Sequence, residues 1–142
     1  MPSHGSDLRF FVDRGLGARI VPSLLRAAGW RLTTMDERYG VRGSESVADQ
    51  DWIADAARRG EVMVCKDLAI ARNPLEAEAV HAWNARVLGL ANANMTGPQA
   101  AAVLLSHGDA IVAMVQRAAG PYVVSVSTHG LRRCRLNLGP RS

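Results

Sequence analysis

Apolar positions along the chain switch repeatedly between a strand period and a helix period. Leu8-Arg9-Phe10-Phe11-Val12 is a short β-type run. From Ala18 to Ala28, Ile20, Val21, Leu24, Leu25 and Ala28 share one helical face, with Gly29 as a natural stop. Trp30-Arg31-Leu32-Thr33-Thr34 returns to strand-like alternation, and the polar, glycine-containing stretch from Asp36 to Ser46 reads as a loop. Ser46 stands where it would N-cap the next helix, with Asp49 three residues on as the capping-box acid. Trp52, Ile53, Ala56 and Ala57 form that helix's stripe, and Gly60 ends it. Val62-Met63-Val64-Cys65 is continuously apolar, as a parallel strand covered on both faces should be.

The second half repeats the alternation. Pro74 opens a helix with Leu75, Ala79, Val80 and Trp83 as its apolar positions, and Arg86-Val87-Leu88-Gly89-Leu90 is a fourth strand. A loop carrying Asn92 and Asn94 leads to Thr96-Gly97-Pro98, which opens a long helix reaching about Ala118, where Gly120-Pro121 breaks it. Tyr122 to Val126 and Leu131 to Leu136 straddle His129-Gly130 as a hairpin. Strands alternating with helices predict an α/β fold with a mostly parallel sheet and an appended antiparallel pair. No repeat or linker divides the chain. Residues 1–7 read as a disordered leader and 8–138 as one domain.

Composition narrows the class. With 142 residues, 48% hydrophobic and 21% charged, the chain is globular in character. No apolar run approaches the roughly 18–20 residues needed to cross a bilayer, and the first residues lack the pattern of a secretory signal, so a cytoplasmic, non-membrane protein is expected. A net charge of +4 favours a polyanionic partner, although a basic drift without a nucleic-acid role is equally common. Cys65 and Cys134 lack partners at metal-ligand spacing, and Cys65 reads as a small core residue.

Candidate chemistry lies at the strand ends. Asp13 and Asp67 each follow an apolar strand, and in an open α/β sheet the loops after parallel strands converge on one crevice. Two carboxylates brought there by different strands are suited to share a hard divalent cation. Taken singly, Asp13 is as well explained as a turn or cap residue, Asp67 as half of a solvated Lys66-Asp67 pair, and Asp49 as a helix cap; Asp51 and Asp55 fall on the outer face of the same helix. No Walker motif, G-x-G-x-x-G, H-E-x-x-H or G-x-S-x-G is present. Trp30, Trp52 and Trp83 fall on core faces, and Asn92 and Asn94 either serve a substrate or satisfy their own loop.

These residues resemble a known family. Phe11-Val12-Asp13-Arg14-Gly15-Leu16-Gly17, with Val21-Pro22 and Leu24 to Trp30, is similar to the opening of PIN-like domains. Asp49-Gln50-Asp51-Trp52-Ile53, Arg59-Gly60-Glu61-Val62 and Lys66-Asp67 resemble the second and third acidic stations, and Ile70, Arg72, Pro74, Glu76, Arg86 to Leu88, Asn94 to Gly97 and Gly120 to Tyr122 continue the match. The likeness covers roughly residues 8 to 130. The family includes VapC-type toxins of bacterial toxin–antitoxin pairs, which are metal-dependent ribonucleases held inactive by an antitoxin. The resemblance implies a three-layer PIN-like fold, with Asp13, Asp49 and Asp67 as catalytic acids holding Mg²⁺ or Mn²⁺. Asp36 and Asp51 would be auxiliary acids, and Arg14, Lys66, Arg72 and Asn94 substrate contacts. PIN enzymes often carry a fourth acid beyond the next strand; Asn92 and Asn94 stand there instead, leaving the expected site one charge short.

The implied function is an endoribonuclease toxin with RNA as substrate and an antitoxin as partner. The rival is a catalytically silent PIN-like module that binds RNA or protein. A phosphatase-like enzyme is disfavoured because Gly15 replaces the second acid of an Asp-x-Asp pair. The last long helix, with Val103, Leu104, Ile111 and Val115, either packs inward or offers a homodimer face.

Overall fold

The computed structural model describes residues 7–140; the leader expected over 1–7 therefore falls outside them except for Asp7. One six-stranded sheet runs in the order β2-β1-β3-β4-β5-β6. Its strands are β1 (Phe10–Val12), β2 (Leu32–Thr34), β3 (Val62–Cys65), β4 (Arg86–Leu90), β5 (Tyr122–Ser127) and β6 (Gly130–Cys134). The first five are parallel and β6 pairs antiparallel with β5, as the alternation of patterns predicts.

Alternation along each strand divides the core into two layers. Phe10, Val12, Val62, Val64, Leu88, Leu90, Val124 and Val126 face one side, against α1 (Ile20–Ala27), α7 (Gly97–Ser106) and α8 (Gly108–Arg117). Phe11, Met63, Cys65, Val87 and Val123 face the other, against α4 (Asp49–Arg58), α5 (Ala69–Arg72) and α6 (Pro74–Ala82). Period-2 side chains buried on both faces explain why these strands read as unbroken apolar runs. Both cysteines are free, and Cys65 is buried in the second layer.

Local chemistry sets the ends of the elements. Beyond α1, Gly29 takes a φ of 98°, while its N–H bonds back to the Arg26 carbonyl and that of Trp30 to Leu25. Trp30 then stacks on Phe10 with ring centroids 4.4 Å apart. Thr96 and Gln99 form a reciprocal capping box at the start of α7.

Several expectations are corrected. The stretch 36–46 is not a loop but two short helices, α2 (Met35–Tyr39) and α3 (Val41–Ser46). Thr34 and Glu37 close a capping box over α2, and Arg38 locks it to β3 through a doubled ion pair with Glu61, at 2.6 and 2.5 Å. Arg38 and Glu61 are only 9% and 5% exposed, and the guanidinium also lies over the Phe11 ring. Ser46 does not cap α4. The N-cap is Ala48, with no side-chain bond, and the Ser46 hydroxyl donates to the Gly43 carbonyl instead. The long final helix is broken at His107 into α7 and α8, bent by 59°. Leu75 and Trp83 are not core positions of α6: they are 68% and 44% exposed, and Trp83 lies beneath the Arg58 guanidinium. The hairpin turns at Thr128-His129 and β6 ends at Cys134. Among the described residues no single helix is long and apolar enough to cross a membrane.

Removing one partner of the Arg38–Glu61 pair strands the other charge in the core. Arg38→Met should destabilise the protein by about 3–5 kcal/mol, whereas replacing both residues with apolar side chains should restore much of the loss. Urea unfolding of the single and double variants measures this directly.

Candidate metal centre

The crossover helices run back against the parallel strands, so their N-termini return to the carboxyl edge of the sheet. Four carboxylates meet there. Asp13 follows β1 directly, and its backbone N–H donates to the Val64 carbonyl at 2.9 Å, which pins the strand tip against β3. Asp67 lies two residues beyond β3, where its Oδ1 accepts the Ala69 N–H at 2.9 Å. Asp49 is the first residue of α4. Glu76 lies in the first turn of α6, two residues after Pro74.

Burial and neighbouring charge shift two of them, Asp13 and Glu76. Burial and then the charge of Asp49 push Asp13 up from 3.8 to about 6, although the Arg14 and Gly15 N–H groups and the Arg14 charge pull the other way. Glu76 is pushed up from 4.5 to about 7 by desolvation and then by Asp49, with Asp13 and Asp67 adding to the effect. A hydrogen bond between Glu76 and Asp49 contributes to that rise. Asp49 also accepts the Trp52 indole N–H at 3.0 Å, so its carboxylate is oriented from within its own helix. Burial raises the Cys65 thiol well above its usual range, and the same four acids add to that shift; beneath them it is a neutral floor.

Glu76 is the acid that the sequence reading did not assign. The expected shortage of charge after β4 is real at Asn92 and Asn94, but α6 supplies a carboxylate from the opposite direction. The available signal was Pro74 at a helix start, which puts Glu76 in a first turn facing the sheet edge. The Asn92 side chain serves its own loop, accepting the Asn94 N–H at 2.9 Å. Asp36 and Asp51 do not enter the cluster. Asp36 accepts the Ser44 hydroxyl at 2.6 Å and lines a neighbouring pocket of about 180 Å³ with Arg14 and Val41. Asp51 is exposed on α4. Asp55, expected on the solvated face of α4, is half-buried and accepts the Tyr39 hydroxyl at 2.9 Å. Arg14, Lys66 and Arg72 are all exposed at this edge of the sheet.

Two glycines let the cluster close. A Cβ on Gly15 would stand 3.1 Å from the Lys66 Cβ. On Gly89 it would meet the Asp67 carbonyl oxygen at 2.5 Å and the Leu68 Cδ2 at 2.8 Å. Only glycine lets β4 pass so close beneath the Asp67 turn.

Among the described residues no three His, Cys, Asp or Glu side chains already form a metal-holding group. The donor chemistry nevertheless fits a hard divalent cation: every side chain offered is a carboxylate, and a positive charge among them would offset both the burial and the neighbouring charge that raise Asp13 and Glu76.

Comparison with known proteins agrees with this architecture. Residues 8–92 match the family model described as a PIN like domain. The chain is 43% identical over 116 residues to "Putative ribonuclease VapC45" of Mycobacterium tuberculosis (strain ATCC 25618 / H37Rv), covering 82% of this chain and 83% of that protein. No solved structure gives a significant match.

Two measurements probe this geometry. The folded value of Asp13 lies above its unfolded value, so the stability linked to its proton is whole below pH 3.8 and lost as pH rises through 6. With metal chelated, the wild-type protein should therefore lose about 1–3 kcal/mol relative to Asp13→Asn between pH 4 and 8, as read from urea midpoints. Gly89→Ala should displace the Asp67 turn and cost about 1–3 kcal/mol by thermal unfolding.

Proposed function

The chain belongs to the PIN-like domain family, and from that premise we propose that it is a metal-dependent endoribonuclease, the toxin of a toxin–antitoxin pair. The observation that carries this reading is the convergence of Asp13, Asp49, Asp67 and Glu76 at one end of the sheet, where burial and then the charge of Asp49 raise the pKa of both Asp13 and Glu76. Structural carboxylates are normally paired with cations, as Glu37 is with Arg26 and Glu61 with Arg38. These four face one another instead, an arrangement whose electrostatic cost suits a cation-binding role.

Asp13, Asp49 and Asp67 would hold Mg²⁺ or Mn²⁺, with Glu76 as the fourth oxygen donor. When bound, the ion would lower the pKa of a coordinated water and neutralise charge on the scissile phosphate. The protein's own contribution is positional. Trp52 and the start of α4 fix Asp49, the Ala69 N–H fixes one oxygen of Asp67, and the strand pairing of β1 fixes Asp13. Glu76 surrenders its proton to bind, or keeps it to relay to a leaving oxygen. Lys66 and Arg14, flanking the cluster, would neutralise phosphate oxygens of the RNA.

An antitoxin would be expected to cover this edge, and the helices beside it expose apolar side chains suited to a protein partner. Val41 is 70% exposed on the rim of the pocket that also holds Arg14, and Ile20 is exposed at the start of α1. A cytoplasmic location and residues 8–138 as one functional domain belong to the same reading.

RNA cleavage in the presence of Mn²⁺ should fall at least about 100-fold in Asp13→Asn, Asp67→Asn and Glu76→Gln. Rates unchanged in all three would remove the acids from the chemistry. A wild-type protein that leaves every tested RNA intact would favour a silent module that binds RNA or protein.

A further inference from the structure

Acidic and basic residues are segregated along this chain. After Asp109 there is no further Asp or Glu, yet Arg117, Arg132, Arg133, Arg135 and Arg141 follow. The last described segment carries this positive charge back towards the acidic edge. Beyond Cys134 the chain leaves the sheet and folds over the end of α5. The Asn137 N–H donates to the Ala71 carbonyl at 2.8 Å, and its side-chain amide donates to the Arg72 carbonyl at 2.8 Å. The Asn137 Oδ1 in turn accepts the Gly139 N–H at 3.1 Å, and Leu136 packs into the second core layer. One side chain and its backbone thus satisfy two carbonyls that the short helix leaves open at its C-terminus.

This strap forms one wall of a groove of about 650 Å³, whose other wall is α5. Arg72 and Arg135 line it from opposite walls, beside Leu136 and Leu138. Both arginines are exposed, and neither takes part in an ion pair among the described residues. Arg72 lies five residues after Asp67 and four before Glu76, so the groove borders the segment that carries half of the acid cluster. Arginines on an edge strand also discourage pairing with other chains, which accounts for Arg132 and Arg133 on β6; Arg133 is additionally engaged over the Tyr122 ring at 5.0 Å. Edge protection does not account for Arg72, which is on a helix, or for its meeting Arg135 across a groove of nucleotide size.

We propose that the groove between α5 and the C-terminal strap is a binding site for the RNA phosphate backbone, with Arg72 and Arg135 as its two anion contacts. The groove holds the strand beside the carboxylates rather than on them; that the strand is the one cleaved rests on the nuclease reading. Arginine suits the task because its planar fork pairs bidentately with phosphate oxygens and stays charged at any working pH.

The test compares two double variants of equal net charge: Arg72→Gln with Arg135→Gln, and, as control, Arg9→Gln with Arg117→Gln, two exposed arginines outside the groove. Anisotropy of a labelled single-stranded oligoribonucleotide is titrated with each protein in EDTA, where no cleavage occurs, across a series of salt concentrations. The groove variant should bind at least about tenfold more weakly at low salt, and the slope of log affinity against log salt should be shallower by about 1.4 than that of wild type. The control should keep the wild-type slope. Thermal melts of both variants should match wild type, because Asn137, which fastens the strap, is untouched. Equal weakening by both doubles, or an unchanged slope in the groove variant, overturns the proposal. Cleavage assays separate it from the nuclease reading. An active enzyme whose KM ignores the groove variant defeats the groove alone, whereas groove-dependent binding by a protein that never cuts RNA defeats the nuclease alone.

Discussion

Four carboxylates at one end of a small sheet repel one another, and this repulsion is the constraint that the surrounding structure must hold in check. The charge of Asp49 adds to the pKa rise of both Asp13 and Glu76, after the larger effect of burial. The chain limits this in two ways visible in the structure. Asp49 and Glu76 stand in the first turns of α4 and α6, where the helix dipole favours negative charge by roughly 0.3–1 kcal/mol each. The rise of the Glu76 pKa to about 7, to which a hydrogen bond with Asp49 contributes, also eases loss of its charge. What remains is borne by the buried sheet, whose parallel strands fix Asp13 and Asp67 at a set register.

That register leaves little freedom for relaxation. β3 lies between β1 and β4 with all four of its residues buried, and the Asp67 turn rests directly on Gly89 of the next strand. On the outer side, the Arg38–Glu61 pair ties the α2–α3 segment to the start of β3, two layers of contact away from the acids. A buried pair of this kind gives little net stability over apolar packing, but it specifies one docking geometry for a segment with almost no core of its own. Arg26–Glu37 and Arg38–Glu61 thus fasten elements together, whereas the acids at the carboxyl edge take part in no ion pair among the described residues.

The same division explains what could be read from the sequence. Strands β1, β3, β4 and β5 are legible because burial on both faces writes itself as continuous apolar runs. Asp13 and Asp67 stand out because they come one and two residues after those runs. The helices over 35–46 were missed: Thr34 and Glu37 do spell a local capping box, but the segments are too short to show a helical period, and Arg38 docks them through Glu61, 23 residues away. Asp49 was half-hidden by a plausible capping role that Ser46 does not in fact share. Glu76 was hidden more completely, since an acid in the first turn of a helix is the expected complement to the dipole. Only the sheet topology turns it towards the acids of other elements. The strap after β6 carried no pattern at all, because a single asparagine closing an open helix end leaves no periodic trace.

A cluster of this sign raises a further requirement for any polyanionic ligand. A phosphodiester approaching four carboxylates is repelled until positive charge intervenes, and a divalent cation offsets that only at its own position. Flanking cations must guide the rest of the strand. Every cation in the chain except Lys66 is arginine, and the segment after Asp109 contains no compensating acid. Folding that segment back over α5 brings fixed positive charge to within a few residues of Asp67 and Glu76 without pairing with them, because Asn137 anchors the strap through neutral backbone carbonyls. An ion pair between the strap and an acid at this edge would have neutralised both an acid of the cluster and an arginine of the groove. The neutral Asn137 clasp instead leaves the acids and the arginines adjacent without an ion pair between them among the described residues.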